Sequence, residues 1–107
     1  MIGLIHRLQQ VIAGWNLFIY TFVMNSKQRK VLKLIYTDPT PKSLEWLAIE
    51  NLLLAIGASL IEGNGSRVRF HKEGVVATFH RPHPNKEAKP YQVKDARNFL
   101  IQLGVQP

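Results

Sequence analysis

Two stretches in the middle of the chain alternate apolar and polar residues with period two. In Arg67-Val68-Arg69-Phe70-His71, Val68 and Phe70 fall on one side, and Arg67, Arg69 and His71 on the other. In Val75–His80, Val75, Ala77 and Phe79 share a side, opposed by Val76, Thr78 and His80. Such alternation predicts half-buried strands. Lys72-Glu73-Gly74 between them predicts the turn of a hairpin, with Gly74 free to take positive φ. Gly63-Asn64-Gly65-Ser66 predicts a flexible entrance, and Ala58–Glu62 a short strand leading into it.

Helical spacing flanks the hairpin. Ile49, Leu52, Leu53 and Ile56 recur at i, i+3, i+4 and i+7, predicting a helix that begins between Ser43 and Leu47 and ends at Gly57, with Trp46 packed at its entrance. Val93, Ala96, Leu100 and Leu103 predict a last helix from about Gln92 to Leu103, stopped by Gly104. Upstream, Val31, Leu32 and Ile35 predict a helix capped by Ser26 and ended by Asp38-Pro39-Thr40-Pro41. The order is helix, three strands, helix, preceded by an N-terminal helix. It implies an α+β domain, a three-stranded antiparallel sheet with helices on one face. This arrangement resembles the double-stranded RNA-binding fold, which reads helix shape and phosphates rather than sequence.

Residues 1–23 differ from the rest. They carry one arginine and no acid, and 11–24 are almost wholly apolar. The run is shorter than the roughly 20 residues of a spanning helix and has no signal-peptide cleavage site. An interfacial anchor, a partner-binding helix and translated upstream sequence all fit. Met24-Asn25-Ser26-Lys27 resembles a fresh N-terminus and favours the last, making 24–107 the domain and a membrane association unlikely on sequence grounds.

Charge changes the picture. Fourteen Lys+Arg against seven Asp+Glu give a net +7, and an excess of this size points to a polyanionic partner. The chain has no cysteine, which excludes disulfides and thiolate zinc sites and fits the cytoplasm. His80-x-x-His83 is two ligands without carboxylate or thiolate support, so neither a metal nor another cofactor is expected.

An ordered set of residues carries a family resemblance: Trp46, Ile49-Glu50, Leu52-Leu53, Gly57-Ala58, then Glu62-Gly63-Asn64-Gly65-Ser66, then Phe79-His80-Arg81-Pro82-His83-Pro84, and finally Val93-Lys94, Arg97, Phe99-Leu100 and Gly104-Val105. Over about 24–107 the chain resembles the HicA toxins, mRNA interferases of type II toxin–antitoxin systems paired with a HicB antitoxin. The resemblance implies metal-independent cleavage of mRNA, blocked when the antitoxin covers the active face. It also implies a catalytic histidine after Gly-Ser at the start of the second strand. Here that place reads Gly65-Ser66-Arg67, and arginine stays protonated and cannot act as a general base. Leu47 also departs from the polar helix cap that related sequences often carry.

RNA cleavage without metal uses the 2′-hydroxyl as nucleophile and needs a base, an acid and a cation for the phosphorane charge. Histidine, with an ordinary pKa near 6.5, suits the first two roles. His83, in the Pro-His position that also occurs in the family, and His80 are the expected acid/base residues. Arg67 and Arg69 are expected to grip phosphate, with Ser66 and His71 beside them. Lys94 and Arg97, one turn apart on the last helix, are expected to join this basic face. A binding module that has kept the surface and lost catalysis is the alternative. Its sign would be salt-sensitive RNA binding with no cleavage.

Overall fold

The hairpin forms as its alternation requires, and the described helices are laid on one side of it. The structure is a computed structural model and describes residues 23–107; the readings of the N-terminal segment fall on 1–22, outside the described residues. Three helices and three strands follow in the order α1 (Ser26–Ile35), α2 (Trp46–Ala55), β1 (Ser59–Glu62), β2 (Arg67–Lys72), β3 (Val75–His80) and α3 (Pro90–Leu103). The strands make one antiparallel sheet in the order β1-β2-β3. The α+β expectation, with a helix ahead of the α-β-β-β-α unit, holds.

Register sets the two faces. Leu60 pairs with Phe70, Val68 with Phe79 and Phe70 with Ala77, so these side chains share the inner face. Val68 and Phe70 are fully buried there, and α3 packs along β3. Trp46, the first residue of α2, lies across the two phenylalanines, with ring centroids 5.0 Å from Phe79 and 6.5 Å from Phe70. Phe70 and Phe79 meet edge-on at 5.9 Å. Tilted and edge-to-face pairs of this kind add to the apolar burial of the rings. Ile49, Leu52 and Leu53 carry the core into α2, and Val93, Ala96, Phe99 and Leu100 into α3.

Local chemistry moves the helix ends by one or two residues from their expected places. Asn25, not Ser26, caps α1: its Oδ1 accepts from Gln28 N (2.8 Å) while Gln28 Oε1 accepts from Asn25 N (3.0 Å). This reciprocal box outcompetes the single serine cap. Helix α3 starts at Pro90, because the first turn leaves its N–H groups unpaired and proline loses nothing there. In α2 the cap position is Glu45, so Leu47 lies in the first turn, 58% exposed, rather than at the cap.

The turn joining β2 to β3 holds two residues, with Lys72 paired to Val75. Glu73 and Gly74 have φ of 51° and 80°. Two positive values in succession define the type I′ turn, which matches strand twist. Glycine adopts the second without cost, whereas a glutamate in the left-handed region is strained by roughly 1–2 kcal/mol. The ion pair of Glu73 with Lys72 is long, at 3.9 Å, and offsets little of this. Glu73→Asn is therefore expected to raise stability by about 0.5–1 kcal/mol, measured as a thermal midpoint higher by several degrees.

Tyr36, directly after α1, donates its hydroxyl to the Val105 carbonyl and so ties the two ends of the domain. Burial raises the pKa of its phenol, and the nearby Arg97 charge opposes the shift only in part. The folded chain thus holds this proton more tightly than the unfolded one, whose tyrosine titrates near 10. The associated stability is complete below about pH 10 and falls as pH rises through the higher folded value. Chemical denaturation between pH 8 and 11 is expected to show this alkaline loss in the parent chain and a shallower one in Tyr36→Phe.

Candidate nucleic-acid interface

The face of the sheet turned away from the helices carries the polar half of the alternation. Arg67 stands opposite His80, Arg69 opposite Thr78 and His71 opposite Val76, all exposed. A two-residue turn makes Lys72 and Val75 the closing hydrogen-bonded pair. Counting back by twos, Arg67 and His80 fall in the non-hydrogen-bonded class, whose side chains approach more closely, with Cβ atoms about 4.5–5.5 Å apart. The face thus sets two arginines beside two histidines on two adjacent strands. β1 extends it with Ser59 opposite His71 and Ile61 opposite Arg69.

Arg67 has a further support. The backbone of Gly63 donates to the Arg67 carbonyl (2.8 Å), and a Cβ on Gly63 would stand 3.3 Å from the Arg67 stem. The arginine side chain therefore lies over bare backbone, which fits the small residue at that point of the entrance. Ser66 is exposed beside it, and its carbonyl accepts from Arg81 N at 2.9 Å, extending the β2–β3 ladder by one bond.

His83 follows β3 in an exposed loop that is held at its far end. Trp46 N donates to Lys86 O (2.9 Å), Ala88 N donates to Leu44 O (2.8 Å), and Glu45 and Glu87 form a one-residue β-bridge. At its near end the loop is fixed by Arg81. The Arg81 Nε donates to Glu50 Oε1 of α2, and its Nη2 to Glu62 Oε1 at the end of β1, both at 3.0 Å. The hydrogen bond to Glu50 is the main cause that raises the guanidinium pKa further, so this charge is permanent. Below it, the buried side chain of Gln92 donates Nε2 to the His80 carbonyl (2.6 Å) and accepts from Lys89 N through Oε1 (3.0 Å).

Of the expected site residues, the structure brings Arg67, Arg69, His71 and His80 onto one face, with Ser66 at its end and His83 in the adjoining loop. It does not bring Lys94 and Arg97 there. Both belong to α3, which packs behind the sheet. Arg97 is committed to structure: Nε donates to Ile35 O (2.8 Å) and Nη2 to Thr37 O (3.1 Å), satisfying carbonyls at the end of α1. Lys94 is exposed. Helical spacing put the two on one polar face of α3, and nothing in that spacing told which side of the sheet the helix would occupy.

Sequence reasoning missed Arg81, Glu50, Glu62 and Gln92. Arg81 lies between the two candidate histidines and reads as one more cation of a basic run; its carboxylate partners are 31 and 19 residues upstream. A glutamine in an otherwise apolar helical stripe was the one visible signal for Gln92. Among the described residues no group of three His, Cys, Asp or Glu accompanies His80 and His83 as metal ligands. No helix there is long and apolar enough to cross a membrane.

The chain is thus a basic α+β domain whose open sheet face carries one arginine–histidine pair, Arg67 with His80, across two strands. Residues 46–105 match the family model described as HicA toxin of bacterial toxin–antitoxin. The match spans more than half of the chain, from the first residue of α2 to two residues past α3, and the chain belongs to the HicA toxin family. A toxin of this kind has an antitoxin as partner. No curated protein and no solved structure matches the chain.

The two carboxylates on Arg81 are unequal. Glu50 is 12% exposed and Glu62 66%. Arg81→Met is expected to lower stability by about 1–3 kcal/mol, because it leaves a largely buried carboxylate unpaired. Glu62→Gln is expected to cost less than about 1 kcal/mol, as exposed pairs do. Urea unfolding of the two variants checks the ranking.

Proposed function

We propose that this chain is an mRNA interferase, an endoribonuclease that cleaves RNA by its own 2′-hydroxyl and is neutralised by a HicB-type antitoxin seated on the same face. The observation that carries this reading is the pairing of Arg67 with His80 on the open sheet face, next to the anchored loop of His83.

The RNA backbone lies over Arg67 and Arg69, whose guanidinium forks match a phosphate bidentately. One histidine of the pair His80 and His83 takes the proton from the 2′-hydroxyl. The freed oxygen attacks the adjacent phosphorus, and charge accumulates on the equatorial oxygens facing the arginines. The bond from phosphorus to the 5′-oxygen breaks, and the second histidine protonates that leaving oxygen. The products are a 2′,3′-cyclic phosphate and a 5′-hydroxyl end, with every proton accounted for. His71 and Ser66 add contacts along the strand. In this scheme the arginine in the expected histidine position supplies charge stabilisation, and proton transfer falls to the facing strand and the loop after it.

The residue at position 67 also favours a second reading. With arginine where the resemblance places the catalytic histidine, the domain binds RNA and antitoxin without cutting. RNA cleavage by the purified full chain in EDTA, beside His83→Ala, separates the two. Cleavage by the parent, lower by about 10²–10⁴-fold in His83→Ala at unchanged melting temperature, is the expected outcome. Salt-sensitive binding without cleavage by either protein establishes the second reading.

A further inference from the structure

We propose that the hollow between the start of α2 and the Arg81–Lys86 loop is a subsite for a single unstacked nucleobase of single-stranded RNA, one nucleotide away from the phosphate at His83. The inference deepens the RNA-cleavage reading and rests on it.

The hollow encloses about 420 Å³, within the ~300–1,000 Å³ of small-ligand sites. Its lining is mostly apolar: Pro82 and Pro84, the exposed Leu47 and part of Trp46. Asn85 and Lys86 stand at the edge with an amide and an ammonium, the groups that hydrogen-bond a base rather than a hydrocarbon. Apolar walls with a polar edge are how proteins hold splayed bases of single strands.

Charge argues for the base over the phosphate. Arg81 lines the hollow, yet its guanidinium is already shared by Glu50 and Glu62. Lys86 and Glu45 both line the hollow, so its remaining charges are of opposite sign. A neutral ring is better matched to these walls than an anionic phosphodiester, for which the open arginines of the sheet face are the place.

The position links the hollow to the chemistry. Pro82 and Pro84 flank His83 directly, and the bond from Arg81 N to Ser66 O joins the loop to the end of the arginine-bearing strand. A base between the prolines therefore lies one nucleotide from the phosphate beside His83, with the phosphates beyond running toward Arg67 and Arg69. The loop is pinned at both ends, so the hollow exists before RNA arrives.

The test uses the full chain and a short, unstructured oligoribonucleotide, compared with a set in which one abasic position is walked along it. Affinity is read by fluorescence anisotropy. One abasic position is expected to weaken binding about five- to a hundredfold, the effect of losing one stacked base at ~1–3 kcal/mol. In Leu47→Glu and Asn85→Ala, both at exposed positions, that position effect is expected to vanish while a salt-sensitive affinity remains, at unchanged melting temperature. Equal binding of all abasic oligonucleotides by the parent, with RNA affinity intact, overturns the subsite and leaves the sheet-face reading standing. Absence of RNA binding by the parent overturns the RNA reading itself, and the subsite with it.

Discussion

The edge-on contact of Phe70 with Phe79, roofed by Trp46, is what the rest of the molecule depends on. A three-stranded sheet of four- and six-residue strands can bury only one face, and in a domain this small that face must hold the largest rings available. The phenylalanines sit on adjacent strands and the tryptophan at the first position of a helix, so one cluster fixes strand register and helix placement together. A slip of one residue would carry Phe70 outward and Arg67 and Arg69 into the core. The exposed cationic face is the obligatory complement of the aromatic one.

Around that cluster, the chain holds its candidate site by ties that make no use of the site's own side chains. Arg81 spans α2 and β1, Gln92 holds the His80 carbonyl, and main-chain bonds clip the following loop to the start of α2. The histidines themselves stay exposed. Rigid supports with free functional groups are what pre-organised binding of a charged polymer requires, because little ordering remains to be done when the polymer arrives. Charge follows the same division: Arg97 and Arg81 are absorbed by carbonyls and carboxylates, while Arg67 and Arg69 face solvent.

Much of this was legible in the sequence. The hairpin, both faces of it, the core stripe of α2 and the element order all follow from period and spacing, since these are local properties of the chain. The juxtaposition of Arg67 with His80 does not, because it needs Lys72 to belong to the strand and pair with Val75, where the sequence reading put Lys72 in the turn. What else could not be read is long-range. Arg97 looked available because its acceptors, the carbonyls of Ile35 and Thr37, lie some sixty residues away. Arg81 looked like a surface cation for the same reason. The cap of α1 was misplaced by one residue because serine and asparagine are comparable caps and only the reciprocal bond with Gln28 separates them.

The buried amide of Gln92 has a consequence in time as well as in space. The His80 carbonyl and the start of α3 are held by a residue twelve positions downstream of His80, on the last element of the domain to be made. Ribosomes add residues in order, at roughly 5–20 per second. A nascent chain that has completed the hairpin but not yet released Gln92 therefore carries the arginines and histidines without the clamp that sets them. The His80 carbonyl is therefore held only once α3 has emerged, and a chain broken off before Gln92 carries the same residues without this tie.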